Sequence, residues 1–146
     1  MTAATVLESG SMFEARFQTY WADFDAAGIV FFPHFFRFVT QAEEELFLAA
    51  GVDRVQLMHE NQVSMPRVET FARFSKPIRM GAVIRVRLTP EIKGEKTIRY
   101  NFVIVDHETS ESLSEGYVTV VCVDAAKFKS APITHFIRKI LEDSAT

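Results

Sequence analysis

Pro33-His34-Phe35-Phe36-Arg37-Phe38-Val39-Thr40-Gln41-Ala42-Glu43-Glu44-Glu45-Leu46-Phe47-Leu48-Ala49-Ala50-Gly51 is the stretch on which the fold turns. Phe35, Phe38, Val39, Ala42, Leu46, Ala49 and Ala50 recur at spacings of three and four, which predicts a helix of about 17 residues from about Phe32 to Ala50. Pro33 suits a helix start and Gly51 a helix end. Phe36 and Phe47 widen the apolar stripe beyond one face, so the helix is expected to be embraced on more than one side.

Upstream, residues 13–21 alternate. Phe13, Ala15, Phe17, Thr19 and Trp21 fall on one side and Glu14, Arg16, Gln18 and Tyr20 on the other, the period of a half-buried strand. Ala22 to Gly28 carries two aspartates and a glycine without periodicity and reads as a loop. Downstream, Asp53 to Gln62 reads as a polar connection. Four strand-like segments follow, at about Ser64–Phe74, Ala82–Lys93, Thr97–Asp106 and Leu113–Asp124. Ile84, Val86 and Leu88 alternate with Arg85, Arg87 and Thr89, so these strands have one wet face and favour antiparallel pairing. Residues 93–96 and 107–110 look like turns, making the last three strands a meander. Ile133, Phe136, Ile137, Ile140 and Leu141 predict a short amphipathic helix near the end, from about Pro132 to Glu142. The pattern is α+β: one curved antiparallel sheet of about five strands wrapped around a long helix.

With 146 residues the chain is expected to form one domain, residues 1–11 being a flexible tail. A net charge of −3 gives no electrostatic reason to expect nucleic acid or an anionic membrane as partner. Cys122 is the single cysteine, and neither a signal-peptide pattern nor an apolar run of spanning length is present; a cytoplasmic address is the expectation. His34, His59, His107 and His135 have no metal-ligand spacing, and there is no nucleophile elbow, phosphate loop or dinucleotide fingerprint. No metal or redox cofactor is implied.

The chemistry concentrates in residues 21–37, WADFDAAGIVFFPHFFR, where Asp23 and Asp25 sit two apart just before the helix. A carboxylate among aromatics is poorly solvated and gains basicity, and free N–H groups at a helix start suit an oxygen that becomes negative when a carbonyl is attacked. Either aspartate can equally cap the turn at Ala26 and Ala27.

As Asp23, Asp25, Gly28, Val30, Phe35 and Arg37 stand here, the motif resembles the signature of the 4-hydroxybenzoyl-CoA thioesterase family, whose order of elements also matches, including Lys76-Pro77 and Gly81. The resemblance implies the hotdog fold and hydrolysis of a small aryl or short acyl-CoA thioester to the free acid and coenzyme A. It implies Asp25 as nucleophile or general base, the backbone N–H of Phe32 as oxyanion donor, and Gly28 as the residue that lets the loop approach closely. Lys96, Lys127 and Lys129 are implied as binders of the coenzyme A phosphates. The relatives' acidic helix position is Thr40 here. Glu43 is therefore a reserve catalytic candidate, beside the alternative that Glu43, Glu44 and Glu45 form a solvated face or subunit contact; His34 is a second reserve. Phe24, Phe31, Phe32, Phe35, Phe36 and Phe38 either line a pocket for an aryl group or belong to the core. A homodimer with joined sheets, or a homotetramer, is the implied assembly. An acyl carrier protein as thiol donor, a hydratase or dehydratase, and a noncatalytic acyl-CoA binding protein are the alternatives.

Overall fold

The structure is a computed structural model and describes residues 12–144; the tail expected at residues 1–11 lies outside the described residues. The elements are β1 (Phe13–Gln18), a 3-10 turn (Trp21–Asp23), α1 (His34–Ala49), α2 (Arg54–Asn61), β2 (Val63–Ser64), β3 (Arg67–Phe74), β4 (Val83–Lys93), β5 (Thr97–Asp106), β6 (Ser112–Val121), β7 (Val123–Asp124) and α3 (His135–Asp143). Five strands form one antiparallel sheet in the order β1-β4-β5-β6-β3, and β2 pairs with β7 separately.

The period-two pattern decides which face of the sheet is dry. Ile84, Val86 and Leu88 of β4 and Ile98, Tyr100, Phe102 and Ile104 of β5 are buried, and they share one core with Phe35, Phe38, Val39, Ala42, Leu46 and Phe47 of α1. Arg85, Arg87, Arg99 and Asn101 lie on the opposite, wetter face. The sheet thus wraps the helix in the hotdog arrangement. Helix α1 stops where expected: Gly51 adopts φ +79°, the Gly51 N–H bonds the Leu48 carbonyl at 2.9 Å, and the Val52 N–H bonds that of Phe47 at 3.0 Å. This paired closure needs a residue that tolerates the left-handed region. No helix among the described residues is long and apolar enough to cross a membrane.

Five sequence expectations need correction. Strand one ends at Gln18, because the Thr19 N–H and hydroxyl both turn to the Ala82 carbonyl, at 3.1 and 2.7 Å, and Trp21 swings out to 82% exposure. The connection at Asp53–Gln62 is the helix α2, its N–H groups at Val55 and Gln56 capped by the Asp53 carboxylate at 2.9 and 3.1 Å. Only Leu57 of α2 is buried, so no apolar stripe announced it. Pro66 splits the segment at Ser64–Phe74 into β2 and β3, and the segment at Leu113–Asp124 divides at Cys122, whose N–H bonds the Lys96 carbonyl at 2.8 Å. Finally, Pro33 stands just before α1 instead of inside its first turn.

Strand β3 is the edge that shapes the molecule's surface. Seven of its eight residues are exposed, on both faces, and among the described residues its outer backbone edge has no partner strand. Its inner edge is held tightly, since a Cβ on Gly116 of β6 would stand 1.9 Å from the Phe71 carbonyl oxygen.

Candidate active site

The motif at residues 23–31 folds as a small hairpin. Phe24 and Val30 form an antiparallel bridge, the Asp25 N–H bonds the Ile29 carbonyl at 3.0 Å, and the Gly28 N–H bonds the Asp25 carbonyl at 3.0 Å. Gly28 closes the turn at φ +79°, a left-handed conformation that favours glycine, with open space around it in the chain. The hairpin docks on the connection between β3 and β4, where Ile29 bridges Arg79 and the Val30 N–H bonds the Ile78 carbonyl at 2.8 Å. Beside it lies a cleft of about 310 Å³ whose walls include Ile78, Arg79, Asp106 and Glu111.

The two aspartates have different surroundings. Asp25 is exposed and accepts the Ala27 N–H at 2.8 Å, the turn-capping bond foreseen as its alternative role. Within one chain, the desolvation expected of a carboxylate among aromatics therefore falls on Asp23, which is only 3% exposed. The Asp23 carboxylate accepts the Tyr20 N–H at 2.8 Å, is ion-paired with Arg37, and lies 3.3 Å from His34 Nδ1. Its carbonyl accepts the Phe31 N–H at 2.9 Å. Asp23 thus clamps both arms of the hairpin to the first turn of α1.

At the start of α1 the N–H groups of His34, Phe35 and Phe36 are taken by the carbonyls of Phe31, Phe32 and Pro33 at 2.9–3.2 Å. Pro33 has no N–H. Among the described residues the Phe32 N–H finds no acceptor, so the oxyanion donor anticipated at this position is the one open donor of the turn. Of the six phenylalanines weighed as pocket walls, Phe35 and Phe38 are core and Phe24 and Phe36 pack against it. Phe31 and Phe32 remain at the surface, Phe32 at 60% exposure, and Phe74 joins them, 6.2 Å from Phe32 and 4.8 Å from Phe35 between ring centroids. Nothing in the sequence around Phe74 separated it from an ordinary strand residue; only the return of β3 to the helix start brings it here.

Glu43 faces inward from the middle of α1 and is 1% exposed, ion-paired with Arg54 of α2 and Arg67 of β3. Its expected solvated setting holds only for Glu44 and Glu45. The buried Tyr100 hydroxyl feels the Glu43 charge without an aligned hydrogen bond; burial first, and that charge second, push it well above its usual range. Glu43 ties three elements together instead of facing the hairpin.

Lys96, Lys127 and Lys129 are brought together: Lys96 Nζ donates to Ser130 Oγ at 3.2 Å, and the loop at residues 124–130 carries the other two. All three are exposed. They are not brought to Asp25. The hairpin sits at the Val83 end of β4 and the lysines beyond its Lys93 end, so the length of an 11-residue strand, about 35 Å, separates them in one chain. A roomier groove of about 370 Å³ lies between the ends of α1 and α3, lined by Leu46, Phe136, Lys139, Ile140 and Asp143, and shares no residue with the hairpin.

Relatives give this geometry a context. A 1,4-dihydroxy-2-naphthoyl-CoA hydrolase of Thermosynechococcus vestitus is 36% identical over 72 residues, 49% of this chain and 49% of that protein. A second, from a Picosynechococcus species, is 30% identical over 81 residues, 56% of each chain. The chain thus spans about half the length of these curated relatives. Among solved structures, a 1,4-dihydroxy-2-naphthoyl-CoA thioesterase from Synechocystis superimposes with a TM-score of 0.86 at 22% identity, covering 91% of this chain and 97% of that one. A gentisyl-coenzyme A thioesterase does so with a TM-score of 0.75 at 20% identity, covering 86% and 98%. At such identities the superpositions speak for the fold. Residues 19–141, from the end of strand one through most of α3, match the thioesterase-like superfamily, and the chain belongs to that superfamily.

Proposed function

We propose that this chain hydrolyses an acyl-CoA thioester with a small aromatic acyl group, in the manner of the 4-hydroxybenzoyl-CoA thioesterases. Asp25 is the nucleophile or general base and the Phe32 N–H receives the oxyanion. The observation that carries this reading is the open N–H of Phe32, one residue past the hairpin that bears an exposed carboxylate. Names of relatives that act on naphthoyl and gentisyl thioesters support it, as does the surface patch of Phe31, Phe32 and Phe74, which can stack on an aryl ring.

The working unit in this proposal is at least a homodimer joined through β3. Among the described residues that edge is unpaired, it bears Phe71 and Phe74, and a strand so exposed calls for a partner. Antiparallel pairing of two β3 strands places the hairpin end of one copy beside the lysine end of the other, so Lys96, Lys127 and Lys129 hold the coenzyme A phosphates for the active site of a second copy. The 35 Å separation within one chain then ceases to matter.

The test is thiol release from a panel of aryl, aliphatic and hydroxylated acyl-CoA thioesters, with the wild type beside a folded Asp25→Asn variant. The expected result is turnover of at least one aryl thioester and loss of most of that rate in the variant. Ligand retention without turnover would point instead to a noncatalytic binding protein, and undiminished turnover by Asp25→Asn would reduce Asp25 to a turn cap.

A further inference from the structure

His34 is the first residue of α1 and is not used by the mechanism above. Its Nδ1 lies 3.3 Å from the buried Asp23 carboxylate, close enough for an ion pair but not aligned as a hydrogen bond, and is shut off from solvent. The side chain is nevertheless 31% exposed, and Nε2, unlike Nδ1, is not buried. The ring stands edge-on to Phe31 with centroids 5.9 Å apart. Two residues before it comes Phe32 with its open N–H, and the hairpin bearing Asp25 is tied to the same turn through Asp23. Besides Asp23, the charged group facing this corner is Arg37, itself paired with Asp23 and bonded to Gln41 at 2.8 Å. A histidine whose inner nitrogen faces a buried carboxylate has one orientation and presents its outer nitrogen for proton transfer.

We propose, on the basis of the thioesterase reading, that His34 donates the proton taken up by the departing coenzyme A sulfur, with Asp23 as its positioning residue. Water adds to the thioester carbonyl carbon, losing a proton at Asp25, and the carbonyl oxygen becomes the oxyanion at the Phe32 N–H. As the carbonyl re-forms, the C–S bond breaks and its electron pair goes to sulfur, which takes the proton from Nε2 of the His34 imidazolium. The ring is left neutral with its remaining proton on Nδ1 toward Asp23, and the proton lost by water replaces the one given to sulfur. The sum is thioester plus water giving acid plus thiol. The proton matters here because a thiolate expelled beside Phe31, Phe32 and Phe74 is poorly solvated.

A thiol of the cysteine type has a pKa of about 8.5 and leaves fairly readily on its own, so the gain belongs at the low end of general acid catalysis, about 10- to 100-fold. The test compares two substrates with the same acyl group, namely the aryl-CoA thioester that the wild type cleaves fastest and the 4-nitrothiophenyl ester of the same acid, whose thiolate needs no proton. His34→Gln is expected to lose about 10- to 100-fold in kcat on the first and less than about threefold on the second. Asp23→Asn should show the same selectivity more weakly, and Asp25→Asn should lose activity on both. Thermal unfolding confirms the fold of each variant, with His34→Asn replacing His34→Gln should the latter not fold. Equal losses on both esters, or none on either, overturn the proton-donor role even where Asp25→Asn is inactive. A wild type that cleaves neither ester overturns this role and the thioesterase reading together.

Discussion

Neutralising Glu43 is the perturbation that most directly separates a structural from a catalytic carboxylate in this fold. Its side chain is buried in the middle of α1 and faces Arg54, mostly buried, and Arg67, which keeps 30% of its exposure. Removing one partner of a fully buried pair costs about 3–5 kcal/mol, because the remaining charge stays desolvated. Arg67 can draw water and thus recover part of this. Glu43→Gln also keeps a carbonyl acceptor in place, so we expect a loss of about 2–3 kcal/mol, and about 3–4 kcal/mol for Glu43→Ala, which leaves a cavity as well. The assay is urea unfolding at fixed protein concentration, since an assembled protein's stability depends on it, with thioester hydrolysis measured below the transition. Activity per folded molecule should remain within about twofold of the wild type, a ratio that corresponds to only about 0.4 kcal/mol in the barrier. A destabilisation below about 1 kcal/mol would show that the cluster is screened by water. Unchanged stability with abolished turnover would refute the reasoning outright and make Glu43 catalytic.

The same cluster predicts an alkaline limb. Burial and the Glu43 charge raise the Tyr100 hydroxyl well above its usual value of 10.0, so the neutral phenol is the form the fold accepts. Stability is complete below pH 10 and falls as pH climbs above it, by up to about 1.4 kcal/mol per pH unit; Tyr100→Phe should remove this slope while changing stability at pH 7 by less than about 1 kcal/mol, as denaturant titrations at pH 7, 10 and 11 will show. Gly116→Ala should cost about 2–3 kcal/mol, because a Cβ 1.9 Å from the Phe71 carbonyl forces β3 away from β6. Thermal unfolding measures that cost, and sedimentation of the variant should show weakened self-association if copies join at β3.

The long helix and the meander were legible because their apolar periods, 3.6 and 2, are strong and sustained, as in Phe35, Phe38, Val39 and Ala42 or Ile84, Val86 and Leu88. Helix α2 was not legible, because it rests on an Asp53 cap and one buried leucine, a signal that a polar loop also gives. At the site, the two aspartates before the helix pointed to a loop there, and the family resemblance to the Phe32 N–H, but neither pointed to the hairpin that the Phe24–Val30 bridge closes. Motif spacing could not assign burial between Asp23 and Asp25, which depends on Arg37 and His34 folding back from the next element. Likewise the resemblance named Lys96, Lys127 and Lys129, but their distance from Asp25 follows from the length of β4, a property of the sheet and not of any local motif.

The Glu43 cluster also constrains how this sequence can change over generations. Arg54 opens α2, Arg67 opens β3, and neither is near the other in the chain, yet both depend on one carboxylate. An apolar residue at position 43 strands two guanidiniums, whereas replacing either arginine alone leaves Glu43 with half its compensation. Single steps away from the present state all pass through a weakened intermediate, so positions 43, 54 and 67 should substitute together in related chains, with an apolar triple as the stable alternative.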